Sequence, residues 1–186
     1  MGSCLSIVGY AFTASKLAIF AEKATEKEKK NCTFTHESFK KYTMPQISEA
    51  IHYSEPLRQR LQYLLDQLTP SPVSLSVELL RALIADPSSH LYLLEKEGTI
   101  VGMLTLGTYL SPTGSKAWIE DVVVDSEARG HGYGKQLVEH AIEEARRAGV
   151  EQLMLTSNPL RVAANRLYQQ MGFQRKETNC YRMDLP

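Results

Sequence analysis

The feature that most constrains this chain is the run Ile119-Glu120-Asp121-Val122-Val123-Val124-Asp125-Ser126-Glu127-Ala128-Arg129-Gly130-His131-Gly132-Tyr133-Gly134-Lys135. It begins as a β-branched strand, passes through three glycines at alternate positions, and runs into a helical pattern at Gln136, Leu137 and Val138. A strand that feeds a helix through a glycine turn leaves the first backbone N–H groups of that helix uncapped. Those donors and the positive end of the helix dipole point the same way, so such a turn can hold an anion. The same residues also suit a tight strand-to-helix turn that binds nothing, and the rest of the chain has to separate the two readings. The dinucleotide fingerprint is excluded, because Leu137 stands where the third glycine would follow Gly132 and Gly134. The nucleotide P-loop is excluded too, because no Gly-Lys-Ser/Thr follows at its spacing.

The elements around this run set its context. Residues 1–43 differ from the rest of the chain: a small-apolar start gives way to the charged stretch Ala21 to Lys30, and the segment is expected to be an N-terminal extension, partly helical or disordered. The domain proper is expected over residues 44–186, with Met44 as a candidate alternative start. Ser48 to Tyr53 is a short strand candidate. A helix capped by Ser54 or Glu55, with Pro56 in its first turn, carries Leu57, Leu61, Leu64, Leu65 and Leu68 on one face. A second helix is expected from about Ser74 to Ala85, with Leu79, Leu80, Leu83 and Ile84 inward. Leu91 to Glu95 and Thr99 to Tyr109 form a hairpin about Glu97-Gly98, and Gly102 and Gly107 mark a bulge or a close backbone approach.

The helix after the glycine loop is expected to bury Leu137, Val138, Ala141, Ile142, Ala145 and Ala148 and to stop at Gly149. A buried strand comes next at Glu151 to Thr156. Asn158-Pro159 starts a last helix that ends at Gly172, and two short strands close the chain, the second alternating Tyr181, Met183 and Leu185 with polar residues. The predicted order is β-α-α-β-β-β-α-β-α-β-β.

Charge and cysteine usage remove several function classes. Lys+Arg and Asp+Glu are both 21, so no overall field favours nucleic acid or an anionic membrane. Cys4, Cys32 and Cys180 form neither a disulfide framework nor a zinc pattern and suit a reducing, cytoplasmic setting; no metal is expected. No apolar run reaches membrane-spanning length. Met1-Gly2-Ser3-Cys4-Leu5-Ser6 matches the short acylation pattern, which is easily matched by accident. His36-Glu37-Ser38 does not extend to a zinc-protease motif, and there is no Gly-x-Ser-x-Gly elbow.

Arg129, Gly132 and Gly134 form Arg-x-x-Gly-x-Gly, and Asn165-Arg166-Leu167-Tyr168-Gln169-Gln170-Met171-Gly172-Phe173 has the pattern Asn-x-x-Tyr-x-x-x-Gly-Phe. With the order of elements between them, these motifs resemble the GNAT superfamily of acetyl-CoA-dependent N-acetyltransferases, over roughly Met44 to Pro186. The resemblance implies an α/β domain with an α+β mixed sheet: the GNAT acyl-CoA N-acyltransferase fold, a central, mostly antiparallel sheet with helices on both faces. It implies acetyl-CoA as co-substrate, with Val122, Val123 and Val124 pairing through their backbones with pantetheine. Arg129, Gly130, His131, Gly132, Tyr133, Gly134 and Lys135 would hold the diphosphate, His131 and Tyr133 through backbone atoms. Asn165 would contact pantetheine, and Asn158 would cap the last helix or also touch the cofactor.

Transfer to an amine needs a base, because an ammonium of pKa about 10 has no lone pair to attack with. Glu120 is the candidate, directly or through water, or else as a carboxylate that only binds the acceptor. Plain alternation puts it on the face of Val122 and Val124, with Asp121 on the other. Tyr168 would sit beside the departing sulfur as an acid, or be a half-buried helix aromatic. The expected acceptor is a small-molecule amine. A protein lysine or N-terminus, and a silent acyl-CoA-binding module, are the alternatives. The resemblance places acceptor selection near Thr69 to Ser74 and Gln174 to Asn179, where Arg175 and Lys176 either favour an acidic acceptor or are surface charge. Homodimers are common in the family.

Overall fold

A computed structural model of the chain describes residues 44–69 and 73–185. The expectations for residues 1–43, including the acylation pattern, Cys4 and Cys32, and for Pro70 to Pro72 lie outside the described residues. In chain order the elements are β1 (Gln46–Glu49), α1 (Glu55–Leu68), α2 (Val77–Ala85), β2 (Ser89–Lys96), β3 (Thr99–Ser111), β4 (Gly114–Val124), a 3-10 turn (Ser126–Ala128), α3 (Tyr133–Arg147), β5 (Gln152–Leu155) and α4 (Val162–Gln170). Among the described residues no helix is long and apolar enough to cross a membrane.

The strands lie in the order β1-β2-β3-β4-β5; the first three pairings are antiparallel and β4 with β5 is parallel. Side chains alternate across this sheet into two cores. Tyr92, Leu94, Leu104, Leu106, Ala117 and Ile119 pack with Leu137, Val138, Ala141 and Ala145 of α3. Leu91, Leu93, Met103 and Val123 pack on the opposite face with Leu61, Leu64 and Leu65 of α1 and Leu80 of α2. The mixed sheet covered by helices on both faces is therefore as expected. Burying a leucine fully contributes about 1.5–3 kcal/mol, so Leu61, Leu64, Leu80, Leu94, Leu104, Leu106 and Leu137 supply much of the cohesion.

Local chemistry explains the helix ends. Ser54 Oγ accepts from Leu57 N at 3.2 Å and Ser76 Oγ accepts from Leu79 N at 3.0 Å, so α2 begins three residues later than Ser74. Leu79 is 55% exposed, because the buried stripe of α2 runs through Leu80 with Leu83 and Ile84 at its flank. The close approach expected of Gly102 is found: a Cβ there would meet Val123 O at 3.0 Å and Leu137 Cδ1 at 3.1 Å, whereas one at Gly107 would meet nothing.

Other expectations are corrected. Strand β1 begins and ends before the expected Ser48 to Tyr53, because the chain turns away to reach the cap at Ser54. Ala148 is exposed, as it lies at the end of α3 rather than over the sheet. Strand β5 is shorter than expected and only half-buried, and Ala163 is exposed. The closing strands are absent among the described residues: after α4 the chain runs to Leu185 without strand pairing. Tyr181, Met183 and Leu185 are accordingly exposed, and so is Cys180. Alternation alone makes no strand; a short hairpin needs a sheet edge or a helix to cover its apolar face.

Candidate active site

Strand β4 is where the fold departs from regular geometry. Met103 faces Val123 and Thr105 faces Glu120, so Asp121 and Val122 together stand opposite Leu104. This is a β-bulge, and Asp121 takes the extra residue with φ of +53°. The bulge reverses the alternation. Ile119, Val122 and Val124 all pack toward α3, while Val123 packs toward α1 and α2. Glu120, paired with Thr105 two residues from Met103, therefore faces the α1/α2 side. The expectation that Glu120 shares a face with Val122 and Val124 is thus overturned, and the cause is the inserted residue.

The same strand splays from its neighbour. The parallel ladder with β5 covers Lys116 to Ile119 and stops. Among the described residues β4 has no partner on that side from Glu120 onward, so the backbone edge of Val122 to Val124 is open to an extended ligand.

The glycine loop comes next. Asp125 N donates to Val101 O at 2.9 Å, and Ala128 N donates to Asp125 O at 2.8 Å in the 3-10 turn. Arg129 Nε donates back to Val124 O at 3.0 Å, and His131 Nδ1 lies 3.0 Å from Arg129 O. Gly130 and Gly132 have φ of +82° and +80°. Gly132 is the N-cap of α3, and among the described residues no side chain caps that end. The first helical bond runs from Gln136 N to Gly132 O, so the N–H groups of Tyr133, Gly134 and Lys135 precede it, at the positive end of a 15-residue helix. The Tyr133 ring is buried in the core beneath the turn. A side chain at Gly132 would force an L-residue into the left-handed region at about 1–2 kcal/mol. Gly132→Ala is expected to weaken acetyl-CoA binding about tenfold by calorimetry, and an unchanged affinity would mean that the turn is not the anion site.

Helix α4 carries the other motif. It begins at Val162, not at Asn158: Asn158 Oδ1 accepts from Leu160 N at 2.9 Å and Arg161 N donates to Asn158 O at 2.9 Å, which makes a separate turn around Pro159. Asn165 Nδ2 donates to Asn158 O and Arg161 O at 2.9 and 3.0 Å, stapling that turn to the helix. Tyr168 is half-buried against Phe173, with ring centroids 6.0 Å apart. Burial pushes its hydroxyl above the ordinary phenol range, and the Arg161 charge offsets part of that.

A cavity of about 2020 Å³ opens beside β4 and β5 and is lined by Glu120, Val122, Asn158, Asn165 and Tyr168. Val123, Val124 and the loop Arg129 to Lys135 lie outside its lining. Three residues not singled out from sequence as site residues also line it: Trp118, Asp121 and Ser157. Ser157 Oγ is a buried polar atom without a partner among the described residues, and Trp118 Nε1 is buried close enough to the Glu120 carboxylate to influence it without an ideal hydrogen bond. Burial raises the pKa of Glu120 and the Asp121 charge raises it further, while the Trp118 indole N–H lowers it. Burial raises that of Asp121 as well. The only signals in sequence for these three were their neighbours, since Trp118 reads as a core aromatic and Ser157 as a loop residue.

Comparison with known proteins agrees with this geometry. The acetyltransferase (GNAT) family model matches residues 58–173. The chain is 36% identical over 93 residues to aminoalkylphosphonate N-acetyltransferase of Salmonella typhimurium, covering 49% of this chain and 60% of that protein. It is 33% identical over 106 residues to glucosamine 6-phosphate N-acetyltransferase 1 of Oryza sativa, covering 52% and 64%. The match thus spans less than two thirds of either relative's length. A solved Trypanosoma brucei acetyltransferase superposes with a TM-score of 0.62 at 27% identity, over 76% of this chain and all of the other. With its splayed fourth strand, uncapped helix start and Asn-x-x-Tyr helix, the chain belongs to the acetyltransferase (GNAT) family.

Proposed function

We propose that the protein is an N-acetyltransferase that moves acetyl from acetyl-CoA to the primary amine of a small molecule, by direct attack in a ternary complex. The observation that carries this is the unpaired edge of β4 leading into the uncapped start of α3, with Glu120 and Tyr168 on one cavity. An open strand edge fits the amides of pantetheine, and an uncapped helix start with glycines at positive φ fits a diphosphate. Val122 to Val124 would hold the first through their backbones; Gly130 to Lys135, with Arg129, would hold the second. Acetyl-CoA supplies the acyl group, its C–S bond breaking as the new C–N bond forms.

The protein's own residues manage the protons. Glu120, directly or through a water, accepts the proton that the amine must lose. Its raised pKa brings it closer to neutrality, which makes it a better base than an exposed glutamate. Tyr168 holds a proton on Oη for the departing sulfur. Burial that raises a phenol also disfavours a thiolate in the same cavity, so the two proton affinities stay comparable. The names of the two curated relatives support a small amine as acceptor.

The test is release of free CoA thiol with a panel of small amines and with peptides. Thiol release with one or more small amines supports the reading. Binding of acetyl-CoA with no turnover would mark a silent binding module, and turnover confined to peptides would move the acceptor to protein.

A further inference from the structure

The glycine loop has little to hold it from within. Gly130 and Gly132 carry no side chains, and the His131 ring lies against the adjacent carbonyls of Ala128 and Arg129 and stacks on the Tyr133 ring with centroids 5.7 Å apart, all contacts within the turn itself. Its fixed end is instead gripped from outside, by α1. Asp125 is the one buried charged side chain among the described residues, at 5% exposure. Its Oδ2 accepts from Arg60 Nη2 at 2.5 Å, and its Oδ1 accepts from Glu127 N at 3.2 Å. The same guanidinium donates through Nε to Ile100 O at 2.6 Å and lies over the Tyr63 ring at 4.7 Å. Two helical turns further on, Gln67 Oε1 accepts from Ser126 N at 2.8 Å. Arg60 and Gln67 thus flank buried Leu64 along one side of α1 and hold Asp125 and Ser126 directly, while Glu127 is held in turn by Asp125 Oδ1.

A buried ion pair of this kind is poor evidence for stability, because desolvating both charges offsets much of their attraction. What it supplies is fixed geometry. Arginine suits the task because its planar fork meets a carboxylate and a carbonyl at once, which a lysine cannot do. A loop already ordered before its ligand arrives loses less conformational freedom on binding.

We propose that Arg60 and Gln67 are positioning residues for the diphosphate: by clamping Asp125 and Ser126, and Glu127 through Asp125, they hold the loop so that the amides of Gly130 to Lys135 converge on one anion. The inference rests on the reading of that loop as the CoA diphosphate site. It adds that a helix on the opposite face of the sheet from α3 sets cofactor affinity.

The experiment is calorimetry of the full chain with CoA and with S-acetylpantetheine, which lacks the diphosphate. The variants are Arg60→Gln, Arg60→Lys and Gln67→Ala, with Leu64→Ala as a control that loosens α1 without touching the clamp. Arg60→Gln and Gln67→Ala are expected to weaken CoA about tenfold, within the usual range of coupling between sites, and to leave S-acetylpantetheine unchanged. Arg60→Lys should recover only part of the loss. Hydrogen exchange of the Ser126 and Glu127 amides should quicken in the first two variants. Leu64→Ala should lower the melting temperature yet bind CoA normally when folded. Should Arg60→Gln fail to fold, Gln67→Ala carries the test, since it removes a neutral amide that bonds Ser126 N and faces the Asp125 carboxylate, and strands no buried charge without its ion-pair partner. CoA affinity unchanged in folded clamp variants, or an equal loss for S-acetylpantetheine, overturns the proposal alone. If the unaltered protein binds no CoA, the parent reading falls and this one with it.

Discussion

Tyr168→Phe is expected to lower kcat about a hundredfold while the acetyl-CoA dissociation constant stays within about twofold. The substitution removes one oxygen and leaves the ring, so packing against Phe173 persists. The hydroxyl makes no hydrogen bond among the described residues, so its loss strands no partner. The effect is therefore confined to the stage at which sulfur departs, and a hundredfold corresponds to about 2.7 kcal/mol of barrier. The raised pKa keeps the tyrosine protonated well past neutrality, so the wild-type alkaline limb should lie above about pH 10 wherever the phenol sets it. Stopped-assay kinetics beside calorimetry separate the two quantities. Wild-type turnover in the variant would leave Tyr168 as a helix aromatic and nothing more.

Glu120→Gln is expected to reduce kcat/KM by about a hundredfold near neutrality and by much less above the pKa of the amine. Above about pH 10 the acceptor is already unprotonated and needs no base. Below that, the carboxylate must take the proton, and the wild-type rate falls as pH drops through the Glu120 pKa. That pKa is raised by burial and by Asp121, so the acidic limb should lie above the usual carboxylate range. The sign for stability is the opposite. A carboxyl whose folded pKa exceeds its unfolded one binds more protons when folded, so stability declines as pH rises from the unfolded pKa through the folded one. The penalty is fully present above the folded pKa, so Glu120→Gln should raise, not lower, the melting temperature at neutral pH. A slower yet more stable variant is the pattern of a group held in place for chemistry. A loss of equal size at every pH would assign Glu120 to positioning the acceptor.

Much of this could be read from the chain because its strongest signals are local. The strand, glycine turn and helix around Gly132 need only neighbouring residues to specify them, and Ser54 with Pro56 marks the start of α1 for the same reason. The errors arose where distant residues decide. No property of Glu120-Asp121-Val122 announces a bulge; it exists because β4 must pair with β3 across Leu104. The clamp of Arg60 on Asp125 joins residues 65 apart in sequence, and so was invisible. The alternation of Tyr181, Met183 and Leu185 was real as a pattern but found no strand partner. The acceptor region was legible only as a place, because selectivity rests on side chains from several elements.

The extra residue in β4 also bears on how relatives of this protein can diverge. Asp121 sits in a backbone conformation that Gly and Asn adopt readily, so its identity is free to drift toward either. Chain length there sets the bend of the strand and not its faces. Removing Asp121 would restore plain alternation with Ile119, Val122 and Val124 still toward α3 and Glu120 and Val123 still toward α1 and α2, so both cores would keep their contents. What would go is the local bend and extra twist that the inserted residue gives the strand. In a library of deletions and substitutions, loss of position 121 should therefore spare the melting temperature and cost acetyl-CoA affinity, while Asp121→Gly or Asp121→Asn should spare both.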